Sequence, residues 1–395
     1  MAHANDNRIL TINSGSSSLK IALFFIGKKE TMELSARIER IGLSVGHFQI
    51  KDGKGQILAE EHPHLPDHDA ALNKFLKWLQ KRNTRLTAAG HRVVHGGLHY
   101  GQPELITPQM EKALAKLEPL DPDHLPDELK AIRTLRRLYP ELPQVACFDT
   151  AFHRHMPAVA QRYPLLRNLW RDGVRRFGFH GLSYEFLIHE LGRVAGARAA
   201  RGRVIIAHLG NGASMAAIHG GKSMDTTMGF TPTGGLMMST RSGDLDPGVM
   251  LYLLREKCLS SSSVSRLVNR RAGLLGISGI SQDLCDLFAQ SAKNPHAGEA
   301  IELFCYQARK YLGALAAALG GLDTLIFTAG IGENMPAIRR RICEHLEFLG
   351  IRLDSARNER NAAIISRVAS PVTVRVMATN EELMIARHTR HLMRH

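Results

Sequence analysis

Histidine, arginine and aspartate recur in this chain in short stretches punctuated by glycine. His91-Arg92-Val93-Val94-His95-Gly96-Gly97 ends an apolar run in a diglycine turn, and Phe148-Asp149-Thr150-Ala151-Phe152-His153 follows the apolar residues 145–147. Arg175-Arg176-Phe177-Gly178-Phe179-His180-Gly181, His208 and Arg241-Ser242-Gly243-Asp244-Leu245-Asp246-Pro247 add three more. Loops that follow strands are where α/β proteins place their chemistry. Taken singly, a histidine beside an apolar strand is a hydrogen-bonded support and an arginine a surface ion pair. Taken together they are cations and neutral donors suited to anions. Zinc is disfavoured, because no histidine pair has H-E-x-x-H spacing and no cysteine partners one.

Glycine turns supply the second kind of chemistry. Residues 9–23, I-L-T-I-N-S-G-S-S-S-L-K-I-A-L, read as strand, polar turn and strand, with Lys20 adding a point charge. Gly15 is expected to take backbone angles other residues avoid, so that hydroxyls and N–H groups face oxyanions. Residues 204–218, V-I-I-A-H-L-G-N-G-A-S-M-A-A-I, repeat the pattern, which suggests a duplicated unit. In L-I-F-T-A-G-I-G-E-N, residues 325–334, a strand ends at Gly330 and Gly332 before a helix, another seat for phosphate. There is neither a G-x-x-x-x-G-K-[ST] loop nor a G-x-G-x-x-G fingerprint, and protein-kinase signatures are missing.

These turns need an α/β frame to hold them. Leu72, Phe75, Leu76 and Leu79 mark an amphipathic helix, and residues 88–94 read as the strand after it. Ile338, Ile342, Leu346 and Leu349 predict one continuous helix face, with Arg339, Arg340 and Glu347 on the other. At 395 residues the chain exceeds one core, so two domains are expected. Its net charge of +14 favours anionic ligands, but the basic residues are dispersed and only 6% of residues are aromatic, which argues against nucleic acid. Five cysteines without C-x-x-C spacing, and an N-terminus unlike a secretory signal, predict reduced thiols in a cytoplasmic protein. Residues 311–331 are apolar, yet Asp323 and the glycines predict a buried helix and strand rather than a membrane span.

The segments I-N-S-G-S-S-S-L-K, H-R-V-V-H-G-G, F-D-T-A-F-H, R-R-F-G-F-H-G, H-L-G-N-G-A-S, D-T-T-M-G-F-T-P, T-R-S-G-D-L-D-P, F-T-A-G-I-G-E-N and T-N-E-E-L resemble the acetate kinase family, in order, from Ile9 to Arg387. That family belongs to the acetate and sugar kinase/Hsp70/actin superfamily. The resemblance implies an α/β protein of two domains with a duplicated actin-like, ribonuclease H-like ATPase fold and a catalytic cleft between them. It implies residues 1–149 joined by 382–395 as one domain, and 150–381 as a nucleotide-binding domain. By the same resemblance, Asn13 and Glu381 would hold Mg²⁺ (or Mn²⁺), and Ser16, Ser18 and Lys20 would face the phosphates of ATP or ADP. Arg92 and Arg241 would flank the carboxylate and the phosphoryl group, with His180 stabilising the transition state, His124 and His208 as further contacts, and Asp149 as the catalytic carboxylate. His208, Leu209, Gly210, Asn211 and Gly212, with Asp283, Leu284 and Cys285 and with Gly330, Ile331, Gly332, Glu333 and Asn334, would hold the nucleotide. Val94, Phe179 and Pro232 would line the acyl pocket. The expected protein is a cytoplasmic homodimer that binds neither nucleic acid nor membrane.

The residue types suit that reaction. A carboxylate acceptor is ionised at neutral pH, since such groups titrate near ~4 to 5. The task is therefore to bring one anion up to another, and cations and donors do that work. Asp149 is accordingly read as an orienter of arginine or metal-bound water rather than a base. Three stretches depart from the family. Its A-P-L-H-N-P is Asp121-Pro122-Asp123-His124-Leu125-Pro126 here, its T-P-L-E-G is Thr231-Pro232-Thr233-Gly234-Gly235, and its D-M-R is Asp283-Leu284-Cys285. Alternative readings are a propionate or other short-chain carboxylate kinase, a sugar kinase of the superfamily, and a non-catalytic actin-like nucleotide switch. Hydroxyl phosphorylation would need a true base, which the arginine- and histidine-rich set does not suggest.

Overall fold

The opening hairpin sets the register of the first sheet. In the computed structural model, which describes residues 7–15, 17–27 and 29–394, β1 (Arg8–Ser14) pairs antiparallel with β2 (Ser18–Ile26), Ile12 opposite Ile21 and Asn13 opposite Lys20. Every β1 residue after Arg8 is buried, which fits a strand covered on both faces. Gly15 does not adopt the left-handed angle expected of it. The turn is close here, because a Cβ would stand 2.8 Å from Ser18 Oγ and would make that hydroxyl turn away.

Outward from β2 lie β3 (Glu30–Glu39), β4 (His47–Asp52) and β5 (Ile57–Glu61). On the other side of β1 lie β6 (Ala88–Val93), β8 (Gln144–Phe148) and β7 (Glu104–Leu105), giving the order β5-β4-β3-β2-β1-β6-β8-β7. β6 runs parallel to β1 and β8 parallel to β6, so each requires a crossover. The helix His68–Gln80 supplies part of the first crossover. It starts at Asp67, whose side chain accepts from the Ala70 N–H, and it buries Leu72, Phe75, Leu76 and Leu79. The helix Leu125–Leu138 precedes β8 and shares that core through Ala131 and Leu135. A last helix, Glu381–Leu392, returns to the same sheet, where Ala386 packs with Ile9, Ala22, Phe24 and Ile26. Its approach to β6 is close enough that a Cβ on Gly90 would meet Thr389 Oγ1 at 2.2 Å.

A second sheet is built from β9 (Val204–Leu209), β10 (Ala213–His219), β11 (Lys222–Thr226), β12 (Thr324–Thr328) and β13 (Thr373–Val376), in the order β11-β10-β9-β12-β13. β9 is antiparallel to β10 and parallel to β12, and β12 is parallel to β13. The run β3-β2-β1-β6-β8 has the same order and the same directions. The two hairpins are therefore the first two strands of one repeated five-strand design. The chain divides into two compact units, Met1–Ala151 with Asn380–His395, and Phe152–Thr379.

The apolar stretch 311–331 resolves into the end of the helix Pro295–Ala318 and the fully buried β12. Among the described residues no helix is long and apolar enough to cross a membrane. All five cysteines are free thiols, Cys147, Cys305 and Cys343 buried and Cys258 and Cys285 exposed. The helix expected over 338–349 is shorter. It spans Pro336–Cys343, and Glu347–Leu349 is a separate 3₁₀ turn. Arg339, expected on its polar face, is wholly buried. Its guanidinium donates to the carbonyls of Gly332, Glu333 and Asn358 and to the side-chain oxygens of Asn358 and Asn361. Five such bonds offset the cost of burying the charge, which periodicity alone does not reveal.

Candidate active site

In the first unit the chemistry gathers at the ends of β1, β6 and β8. Arg92, on β6, donates from Nη2 and Nε to Asp149 Oδ2 at 2.6 and 3.0 Å, and from Nη1 to Asn13 Oδ1 at 3.3 Å. Asn13, on β1, donates in turn to Glu381 at 2.9 Å and to Glu382 at 3.2 Å, at the start of the C-terminal helix. Asp149 is fully buried. Burial works to lower the Arg92 pKa, but Asp149 and Glu381 outweigh it and hold the guanidinium above its ordinary value.

Behind Arg92, Glu128 accepts from the Val94 N–H at 3.0 Å, and burial pushes its carboxyl well above the usual range. Asp121, one of the departures from the family pattern, accepts from or pairs with His124 Nδ1 at 2.8 Å and so fixes that ring. The carboxylate oxygens of Glu381 and Glu382 suit a hard cation, while Asn13 turns its amide nitrogen to them and its oxygen to Arg92. Mg²⁺ takes one or two carboxylates and fills its remaining positions with water and phosphate. Of the residues expected to face phosphate, Lys20 is exposed and Ser18 half-buried, while Ser16 lies outside the described residues.

In the second unit a second group converges. His180 precedes the helix Gly181–Ala195 in a left-handed conformation (φ 60°, ψ 24°), a region where histidine is tolerated better than most residues. Its ring stacks on His208 with centroids 4.1 Å apart and planes 14° from parallel. Ser214 Oγ lies 2.8 Å from His180 Nδ1, and Ser183 Oγ 2.9 Å from His208 Nδ1. Gly212, in the β9–β10 turn, faces the same point, since a Cβ there would stand 3.5 Å from His180 Nε2 and 3.7 Å from Arg241 Nη1. Arg241 Nη1 also donates to the Pro232 carbonyl at 3.3 Å. Phe179 is buried, and its carbonyl is 3.0 Å from His153 Nε2. His180, His208, Gly212, Pro232 and Arg241 thus form one cluster.

The third glycine turn differs from expectation. Residues Ala329–Asn334 are themselves a short helix after β12, and the left-handed residue is Ala329 (φ 64°) rather than a glycine. Gly332 is buried and packs in ordinary contact, since a Cβ there would lie 3.5 Å from the Ala207 carbonyl. Glu333 turns back to accept from the Ala329 N–H at 2.8 Å and from Thr328 Oγ1 at 3.2 Å, so one donor of that helix start is already engaged. Asp283 caps the helix Leu284–Gln290 through the Cys285 N–H at 2.7 Å, with Leu284 buried and Cys285 exposed. Ser183, Tyr184 and Glu128 were not singled out by the sequence, where an isolated serine, tyrosine or acid carries no spacing signal, and Ser214 and Glu382 stood out only as members of longer motifs.

The acetokinase family model matches residues 8–387. The chain belongs to the acetokinase family. It is 47% identical over 388 residues to an acetate kinase of Rhodopseudomonas palustris, covering 96% of this chain and 97% of that protein. With an acetate kinase of Methylocella silvestris it shares 45% identity over 400 residues, covering 98% of both. Among solved structures, an acetate kinase of Porphyromonas gingivalis superposes with a TM-score of 0.86 at 37% identity, over 98% of this chain and 100% of that one. A propionate kinase of Francisella tularensis gives a TM-score of 0.90 at 33% identity, over 98% and 99%. The actin-like ATPase fold of this family is the one described above, its repeated five-strand sheets included.

Proposed function

We propose that the protein is an acetate kinase, transferring the γ-phosphoryl group of ATP to acetate to give acetyl phosphate and ADP, reversibly. The single observation that carries a carboxylate acceptor over a hydroxyl is the engagement of Asp149. Its Oδ2 takes two hydrogen bonds from Arg92 in a fully buried setting. A carboxylate so committed is a poor general base, and an ionised acceptor needs none.

The acetate oxygen attacks the γ-phosphorus in line, and the bond to the ADP oxygen breaks. Both reactants are anionic and the transition state is loose, so positioning and charge stabilisation make up nearly all of the catalysis. We assign Arg92 and Arg241 to the carboxylate and the phosphoryl oxygens, His180 to a hydrogen bond on the transferring group, and His124 and His208 to flanking contacts. Asp149 orients Arg92. Val94, Phe179 and Pro232 border the methyl group. Lys20, with Ser16 and Ser18, meets nucleotide phosphates. The 208–212 turn, residues 283–285 and residues 330–334 hold the remainder of ATP. Asn13 and Glu381 would hold Mg²⁺, which neutralises phosphate charge when bound. Propionate remains the second reading, because Asp123 and Thr233-Gly234 depart from the family pattern.

We also read the chain as a cytoplasmic homodimer. The helix Pro247–Arg255 leaves Val249, Leu251, Tyr252 and Leu254 exposed, and a second copy is the cover we assign to it. Light scattering after size exclusion should give twice the chain mass, and Leu251→Glu should halve it.

The deciding assay incubates the purified protein with Mg-ATP and acetate, propionate, butyrate or glycerol, and traps acyl phosphate with hydroxylamine. Acetate should give the largest kcat/KM. Failure to trap product from any carboxylate overturns the reading.

A further inference from the structure

We propose that Ser214 and Tyr184 decide which nitrogen of His180 carries its proton, holding the Nε2–H form, and that Ser183 does the same for His208. The inference deepens the proposed function, since it rests on His180 meeting the phosphoryl group. Two buried hydroxyls back the half-buried ring: the Tyr184 hydroxyl bonds Ser214 Oγ, and Ser214 Oγ bonds His180 Nδ1. Ser214 sits on β10 and Tyr184 on the helix that His180 begins, so sheet and helix fix both ends.

Direction follows from acidity. A phenol is a stronger acid than an aliphatic alcohol, so the Tyr184 O–H donates to Ser214 Oγ. The serine proton is then turned toward His180 Nδ1, which must accept through its lone pair. A neutral imidazole that accepts at Nδ1 carries its proton on Nε2. Nε2 is the nitrogen that faces Gly212 and Arg241. The relay therefore presents a donor, rather than a lone pair, toward the place assigned to an anionic oxygen. The face-to-face stacking of His180 on His208 disfavours charging both rings at once, because two imidazolium rings 4.1 Å apart would repel. Ser183 Oγ at His208 Nδ1 completes a matched pair of rings, each with its Nδ1 engaged by a serine. Ser214, Tyr184 and Ser183 are positioning residues.

The test reads the proton directly. The full-length protein, labelled with ¹⁵N-histidine and with His180 assigned through His180→Gln, is examined by two-bond ¹H–¹⁵N correlation near neutral pH. The expected result is a neutral His180 protonated on Nε2. An Nδ1–H form or an imidazolium overturns the proposal, and this measurement on the unsubstituted protein needs no variant of the relay to fold. Ser214→Ala should shift His180 toward a mixture of forms and lower kcat about tenfold, with the nucleotide KM changed less than twofold. Tyr184→Phe should lower kcat less, by roughly threefold. A wild-type His180 spectrum in Ser214→Ala overturns the relay. Full activity in His180→Ala would instead remove the phosphoryl role, which distinguishes failure of the functional reading from failure of the relay.

Discussion

Arg92 gives two of its donors to a single oxygen of Asp149 and a third to Asn13. The guanidinium is thereby fixed in plane and direction by one residue on the neighbouring β1 and one just past the end of the neighbouring β8. Asp149→Asn replaces its charge partner with a neutral amide. Breaking one side of a buried ion pair costs about 3–5 kcal/mol. We expect a lower Tm, a kcat reduced by roughly 10²-fold and a raised KM for acetate. Unchanged acetate kinetics in the folded variant would remove Asp149 from its orienting role.

Gly90 couples the C-terminal helix to β6. Its absent side chain lets Thr389 and Ile385 come within what would be 2.2 and 2.5 Å of a Cβ. Gly90→Ala must push the helix outward, and Glu381 and Glu382 move with it. The expected outcome is a destabilisation of about 1–3 kcal/mol by urea titration and a higher Mg²⁺ concentration for half-maximal activity. Lost stability with an unaltered Mg²⁺ requirement would separate Glu381 from the metal.

His91 and His153 are fully buried, and burial depresses each pKa from 6.5 to about 4. The unfolded chain binds these protons from about pH 6.5 downward while the folded chain does not. Stability is therefore complete above pH 6.5 and falls as pH drops toward 4, by up to about 3 kcal/mol for each ring. Denaturant midpoints measured from pH 7.5 to 4.5 should decline, and His153→Gln should flatten part of that slope. An identical slope in the variant would assign acid sensitivity elsewhere.

Cys285 is exposed at the start of the helix Leu284–Gln290, where the family pattern has arginine. Restoring the cation by Cys285→Arg should lower the KM for ATP several-fold, with kcat and acetate KM little changed. An unchanged ATP KM would place the nucleotide away from residues 283–285.

The apolar punctuation of the chain made much of the fold legible. Both hairpins, the helix under Leu72 to Leu79 and the strand before His95 follow from period and turn residues alone. What periodicity missed depends on three-dimensional satisfaction of polar groups. Arg339 reads as a surface residue until five acceptors surround it. Gly15 reads as a left-handed turn residue, whereas what marks its position is close approach to the Ser18 side chain. Within the candidate site, the arginines and histidines stood out because they recur in glycine-rich loops. Ser183 and Tyr184, behind the histidines, had no such signal, since their significance is a contact between strand and helix.

The helix Glu381–Leu392 completes the sheet begun by β1, yet residues 152–379 intervene. During synthesis the closing helix of the first unit is made only after every residue of the second. The unit translated first is thus the later one to mature, and its Asn13–Glu381 pairing forms only after nearly the entire chain has been made. A released chain truncated after Thr379 should accordingly hold a protease-resistant second unit beside a first that remains open to cleavage.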